Sequence, residues 1–136
     1  MTKDLTRLRD MAVRYTAAWC SHDAASVAAF FAPDGSLRVN DAAPAIGRTA
    51  VAAVAQEFMT AFPDLQVLMD GLAVEDGVLV YRWTLVGTNT GPGGTGQHVR
   101  IQGCEEWRVG PGDLIAASLG HFDAEEYARQ LGGPDA

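Results

Sequence analysis

Clusters of basic residues, long apolar runs and metal-spaced cysteines are all missing from this chain. Only 10 Lys and Arg stand against 17 Asp and Glu, a formal net charge of −7 over 136 residues. With no Lys/Arg cluster to offset that average, nucleic acid and anionic membrane surfaces are excluded as partners, because the phosphate interaction is repulsive. The two cysteines, Cys20 and Cys104, lie far apart and match no metal spacing, so they read as reduced, small apolar residues. No apolar run reaches membrane-spanning length, and the opening MTKDLTRLRD has no signal-peptide core, which makes the cytoplasm the expectation. No internal repeat is present, and the one low-complexity stretch is a Gly-rich turn.

Catalytic motifs are scarce too. There is no Ser/His/Asp elbow, no His-x-x-x-His and no carboxylate cluster, so no metal is expected. GPGGTG (91–96) lacks the lysine of a phosphate loop and joins two strands instead of opening a helix; it reads as a hairpin turn.

What is present is an ordinary globular composition, 48% hydrophobic and 20% charged, enough for one domain over residues 1–136 with one core. Its centre is the stretch 77–123. Three alternating segments, Val78 to Thr88, Gln97 to Val109 and Leu114 to Phe122, are joined by GTNTGPGGTG and GPGD, which predicts three consecutive antiparallel strands. Leu79, Tyr81, Trp83 and Leu85 share one face of the first strand; Ile101, Gly103, Glu105, Trp107 and Val109 share one face of the second. An acid, Glu105, therefore sits inside an apolar stripe, while Glu106 points the other way into solvent.

The flanking chain is helical at first. Leu5, Leu8, Ala12, Tyr15 and Trp19 make one stripe over Asp4 to Ser21. Asp23 caps a short helix over Ala24 to Phe31, Pro33-Asp34-Gly35 turns, and Ser36 to Asn40 forms a short strand with Leu37 and Val39 on one face. Asp41 to Gly47 reads as an irregular loop. A helix over Thr49 to Ala61 stops at Pro63, and Leu65 to Glu75 is a strand turned back by Asp76-Gly77. A last helix starts after Asp123, with Glu126 three residues on, and Gly133 to Ala136 is a frayed tail. The order gives an α+β fold: a curved, mostly antiparallel sheet around three N-terminal helices, with a cavity between.

Several stretches carry a family resemblance: Phe62-Pro63-Asp64-Leu65, Tyr81-Arg82-Trp83-Thr84 leading into Gly87-Thr88-Asn89-Thr90-Gly91, Thr95-Gly96, Trp107-Arg108 and Gln130-Leu131-Gly132. The chain resembles the SnoaL-like polyketide cyclases of the NTF2-like superfamily. The resemblance implies an NTF2-like cone with a short C-terminal helix and a hydrophobic cavity for small flat or terpene-like molecules. It also implies a homodimer and acid/base chemistry with no cofactor. The family places an Asp after a Trp near the end of the last strand; here those positions are Gly120 and Leu119. In the steroid-isomerase relatives a first-helix Tyr matches Tyr15, a protonated middle-strand acid matches Glu105, and the base falls near Val39, beside Asn40 and Asp41.

The candidate site follows. Glu105 is the acid/base or oxyanion partner, since a carboxyl on an apolar face is pushed toward its neutral form. The competing expectation pairs it with Arg82 or Arg100. Tyr15 is its helper, and His121 a second base if a bulge re-aims it. Trp19, Phe30, Asn40, Phe58, Phe62, Trp83 and Trp107 are the candidate substrate contacts, most of them also core residues. The expected partner is a small hydrophobic carbonyl or epoxide compound, and the outer-face residues Val78, Val80 and Val86 suggest a dimer interface. Two other functions fit the same residues: a non-catalytic ligand-binding or dimerisation module, and an epoxide hydrolase with an acid–Arg–acid arrangement.

Overall fold

The structure is a computed structural model that describes residues 5–132; the frayed tail expected at 133–136 lies outside the described residues. The elements, in chain order, are helices α1 (Leu5–Cys20) and α2 (Ala24–Ala28), strands β1 (Phe31–Val39) and β2 (Ala45–Ile46), helix α3 (Arg48–Ala61), strands β3 (Gln66–Glu75), β4 (Val78–Thr88), β5 (His98–Val109) and β6 (Ile115–Phe122), and helix α4 (Ala124–Gly132). One curved six-stranded sheet has the order β2-β1-β6-β5-β4-β3. Every neighbouring pair is antiparallel except β1 and β6, which run parallel. The helices pack on the sheet's concave side, so this is the α+β architecture that the element order implies and the NTF2-like cone that the family resemblance implies.

Helix α1 buries Leu8, Met11, Ala12, Tyr15, Ala18 and Trp19, spaced three and four apart on one side. That stripe drives it onto the sheet, with Cys20 Sγ accepting from the Val67 amide of β3 at 3.3 Å. Asp23 caps α2, its side chain accepting from the Ala25 amide at 3.1 Å. Asp123 does the same for α4, accepting from the amides of Glu125 and Glu126 at 3.0 and 3.1 Å.

Three local expectations are corrected. The second helix ends at Ala28 instead of Phe31, because Phe31 opens β1, is fully buried, and pairs with Ile115 of β6. Pro33-Asp34-Gly35 is not a turn between elements but lies within β1, where the register against β6 shifts between Phe31 and Ser36. The loop 41–47 contains β2, which pairs with β1 at Ser36 and Leu37. The outer face also differs from expectation. Val80 is buried and Val78 and Val86 are half-buried, so those three do not form an uncovered apolar patch. Beside them the outer surface carries ion pairs, Arg82 with Glu75 at 2.9 Å and His121 with Glu106 at 2.5 Å.

Asn89 closes the long β4–β5 hairpin. Its amide donates to the Ala61 carbonyl at 3.1 Å and its oxygen accepts from the Thr95 amide at 2.8 Å. Its side chain thus ties the Gly-rich turn to the end of α3, a structural task. Among the described residues no helix is long and apolar enough to cross a membrane.

Candidate functional site

Alternation along β4, β5 and β6 puts Tyr81, Glu105 and Gly120 side by side on the concave face, since Tyr81 pairs with Glu105 and Glu105 with Gly120. Between this face, α1 and α3 lies a cavity of about 60 Å³, room for a few water-sized groups. Its walls are apolar, contributed by Trp19 of α1, Val54 and Phe58 of α3, Leu37 and Val39 of β1, and Trp83 and Leu85 of β4. Phe122 and Tyr127 close it from the side of α4. Glu105 is the only ionisable carboxyl among the lining residues.

Glu105 is 7% exposed and reaches no cation among the described residues. Its Oε1 accepts from Ser118 Oγ at 2.7 Å, from Trp107 Nε1 at 2.9 Å and from Tyr15 Oη at 3.1 Å. Oε2 shares only the Tyr15 hydroxyl, also at 3.1 Å. Burial raises the pKa of the carboxyl, and the hydrogen bonds from Trp107, Ser118 and Tyr15 oppose that rise. The two oxygens are therefore unequal. Oε1 has three donors, whereas Oε2 keeps spare acceptor capacity.

The donors are themselves fixed. Tyr15 is fully buried, and its ring meets Tyr81 and Trp107 edge-on with centroids 5.6 and 5.3 Å away. Burial, with the nearby Glu105 charge, holds its hydroxyl well above the usual tyrosine value, so it stays a donor. Tyr81 stacks on Trp107 at 4.8 Å, and its hydroxyl shares a 2.5 Å hydrogen bond with Thr16. This aromatic packing locks the Trp107 indole toward Glu105.

Two glycines make room. At Gly103 a Cβ would fall 2.5 Å from Trp83 Cζ2 and 2.5 Å from the His121 carbonyl, so only glycine lets the Trp83 ring lie against β5. At Gly120 a Cβ would meet the Arg38 carbonyl at 3.2 Å, a tight contact in ordinary backbone.

The structure brings together only part of the sequence-derived set. Tyr15 and Glu105 are hydrogen-bonded, and Trp19, Phe58 and Trp83 line the cavity. Trp107 stands behind the cavity wall and contacts Glu105 as a donor. Phe30 and Phe62 are packing residues, Phe30 edge-on to Tyr15 at 5.6 Å and Phe62 against Tyr127 at 6.4 Å; neither lines the cavity. Asn40 is also outside it. Its side chain accepts from the Phe122 amide at 2.9 Å and pins the end of β6.

His121 is corrected as a second base. It pairs with Cys104 across β5–β6 and points outward to Glu106, lining a separate surface recess with Arg38, Asn40 and Asp41. The register shift that could have re-aimed it lies instead at Arg108/Val109. The expected ion pair is corrected as well. Arg82 is engaged by Glu75 on the outer surface and Arg100 is exposed, its amide bonded to Gln130, so among the described residues no acid–Arg–acid arrangement forms around Glu105. Sequence reasoning missed Ser118, Tyr81, Phe122 and Tyr127. Parity puts Ser118 on the inward face, two residues before Gly120, but its contact with Glu105 depends on the β5–β6 register, which no single-strand pattern gives.

Among the described residues no group of three or more His, Cys, Asp or Glu side chains is placed to hold a metal ion. The arrangement can do proton transfer: one buried carboxyl with one open oxygen, three neutral donors behind it and apolar walls in front.

Comparison with known proteins places this geometry. No curated protein shows a significant match to the chain. Among solved structures, a SnoaL-like polyketide cyclase-like protein from Jannaschia sp. CCS1 superposes with a TM-score of 0.83 at 16% identity, covering 98% of this chain and 99% of that one. A protein of ketosteroid isomerase-like fold from Catenulispora acidiphila gives 0.76 at 15% identity, covering 90% and 92%. SalBIII, an epoxide hydrolase/cyclase-like enzyme of pyran ring formation in the polyether salinomycin, gives 0.78 at 14% identity, covering 92% and 97%. At these identities the likeness shows the fold. The family model of the SnoaL-like polyketide cyclases matches residues 9–131, and the chain belongs to that family.

Proposed function

We propose that the protein is a cofactor-independent enzyme acting on a small apolar carbonyl or epoxide compound by acid/base catalysis of the cyclase or isomerase type. The observation that carries this reading is the state of Glu105: 7% exposed, unpaired with any cation among the described residues, and facing an apolar cavity with one oxygen unsaturated. Such a carboxyl has a pKa moved toward neutrality, where a group can both take and return a proton efficiently.

In the ionised form, Oε2 accepts a proton from a carbon or hydroxyl of the bound compound. The three donors on Oε1 hold the carboxylate in place while it does so. In the protonated form, Oε2–H delivers the proton to an oxygen that gains charge as a ring closes, a double bond moves or an epoxide opens. The apolar walls exclude water and strengthen each of these contacts. Tyr15 acts through Glu105 and is a positioning residue. The SalBIII likeness supports ring-forming and epoxide-opening chemistry as the range to test.

The alternative is a non-catalytic binding module. The observation favouring it is Gly120, which stands where the related cyclases carry an acid and directly opposite Glu105. One experiment separates the two. Wild type and Glu105→Gln are incubated with a library of small apolar ketones, enones and epoxides, and products are read by mass spectrometry. Conversion by wild type and not by the variant supports the enzyme reading. Equal conversion by both removes Glu105 from the chemistry, and stabilisation of the protein by compounds that are never converted supports the binding module.

A further inference from the structure

Helix α4 covers part of the cavity, yet it is the least anchored element around it. It contributes Tyr127 to the wall while burying none of its described residues. Every other element that lines the cavity is rooted in the core: α1 by six buried residues, α3 by Val51, Ala55 and Met59, and each strand by at least one buried apolar residue. Tyr127 is half-buried and held by ring packing, edge-on to Phe122 at 5.3 Å and tilted against Phe62 at 6.4 Å.

What fastens α4 is a latch on the edge of β5. Strand β6 ends at Phe122, opposite Gly103, so the β5 edge before that point faces no strand and its backbone groups need other partners. Gln130 supplies them. Its side-chain oxygen accepts from the Arg100 amide at 2.7 Å, and its nitrogen donates to the Arg100 carbonyl at 3.0 Å. Both bonds are exposed, so water can replace them. Asp123, the residue between β6 and α4, caps the helix at its own start, so α4 can leave the sheet with its internal hydrogen bonds intact. An element with little buried surface and exposed hydrogen bonds opens at the lowest cost in free energy.

The closed cavity is small. At about 60 Å³ it is less than half of the roughly 150 Å³ that takes a single benzene ring. A ring-containing compound therefore needs one wall to yield, and α4 is the wall that yields most easily. We infer that α4 is the movable wall of this site and that Tyr127 sets the largest guest the closed cavity holds. Opening breaks the Gln130–Arg100 pair, carries Tyr127 away from Phe122 and leaves α1, β4 and β5 in place. The site accordingly favours very compact apolar guests when shut and admits ring-sized ones at the cost of displacing α4. The inference rests on the reading of this cavity as the place where a guest binds, and not on the chemistry of Glu105.

The test uses benzene as the probe, with amide hydrogen exchange and binding both followed by NMR. A guest that binds only the opened fraction of molecules has its affinity lowered by that fraction. Gln130→Ala removes the latch, so the α4 amides should exchange roughly three- to tenfold faster, the worth of one net hydrogen bond, while the β4 amides keep their rates. Benzene affinity should rise by the same factor. In wild type, benzene should speed the exchange of the Arg100 amide. Tyr127→Leu shortens the wall without touching the latch, and should bind benzene more tightly than wild type with α4 exchange unchanged. The inference is overturned by α4 amides that exchange only together with those of β4, or at the wild-type rate in Gln130→Ala. It is equally overturned by a benzene affinity that stays level when α4 exchange has risen, or by no benzene binding to either variant up to its solubility. Wild-type exchange with and without benzene decides the matter even if a variant fails to fold. Benzene gives Glu105 no proton to take or return, so conversion assays on Glu105→Gln show failure of the acid/base reading separately from failure of the movable wall.

Discussion

Two acids adjacent in sequence, Glu105 and Glu106, occupy opposite worlds. Glu105 is 7% exposed and accepts from three neutral donors, whereas Glu106 faces the outer surface and pairs with His121 at 2.5 Å. Nothing in their immediate sequence separates them; the alternation of a strand does. The inner acid carries a raised pKa and no counter-ion among the described residues, an arrangement that stability alone would not favour. The outer acid belongs to a half-exposed ion pair of the kind that contributes little. The contrast is why the proposed function rests on the inner acid: it is a desolvated carboxyl held by neutral donors beside a cavity.

The largest effect that would break this comparison is on turnover. Glu105→Gln should lower the rate of any reaction found by about 10²- to 10⁴-fold, the range for loss of a general acid or base. Glu106→Gln should leave it within about twofold. Steady-state kinetics on one converted compound checks both, and comparable losses in the two variants would erase the distinction between the faces.

Stability against pH sharpens the comparison next. The native pKa of Glu105 lies above its ordinary value of 4.5, so the folded chain holds this proton more tightly than the unfolded chain. Stability from this group is greatest below about pH 4.5 and declines as pH rises through the window up to the raised native value, then levels off. For a single proton the slope within that window can reach about 1.4 kcal/mol per pH unit. Urea midpoints measured from pH 4 to 8 should fall for wild type relative to Glu105→Gln, and parallel curves for the two would show that the carboxyl titrates normally.

The donors come third. Tyr15→Phe removes a hydroxyl that reaches both oxygens of Glu105, and Ser118→Ala removes the 2.7 Å contact to Oε1. Each should destabilise by about 1–3 kcal/mol, since a buried acceptor loses a partner. Each should also raise the Glu105 pKa further, because both bonds favour the charged form. The basic form would then appear at higher pH, shifting the rising limb of the pH–rate profile upward. A loss of rate with no movement of that limb would mean these residues act on packing and not on the acid.

The sequence-level reading reached the inner face because parity along β4 and β5 is regular: Leu79, Tyr81, Trp83 and Leu85 align inward, and so does Glu105. The α1 stripe placed Tyr15 toward the sheet for the same reason. What could not be read was local competition and cross-strand register. Phe30 and Phe31 extend an apolar helical pattern, yet Phe31 joins β1 because pairing with Ile115 and full burial outweigh another half-turn of helix. Ser118 became a ligand of Glu105 through the β5–β6 register, which sets it opposite Trp107, and single-strand patterns do not encode that offset. The outward course of His121 did follow from plain alternation; the expectation of a re-aiming bulge was misplaced, because the irregularity fell near the start of β6.

The smallest expected effect tests the outer half of the comparison. His121→Ala and Glu106→Gln break the same pair, whose side chains are 50% and 37% exposed. Solvent screening and side-chain entropy offset most of the attraction at such exposure, so each variant should shift stability by no more than about 1 kcal/mol. That shift should shrink further in 1 M salt, where the screening length falls to about 3 Å. Neither variant should alter the pH dependence of Glu105, because β5 itself separates the two faces. A double-mutant cycle read by urea denaturation at low and high salt gives the coupling directly. A coupling of several kcal/mol that is indifferent to salt would mean that the outer pair is buried in the working protein, covered by a partner surface that a single chain does not show.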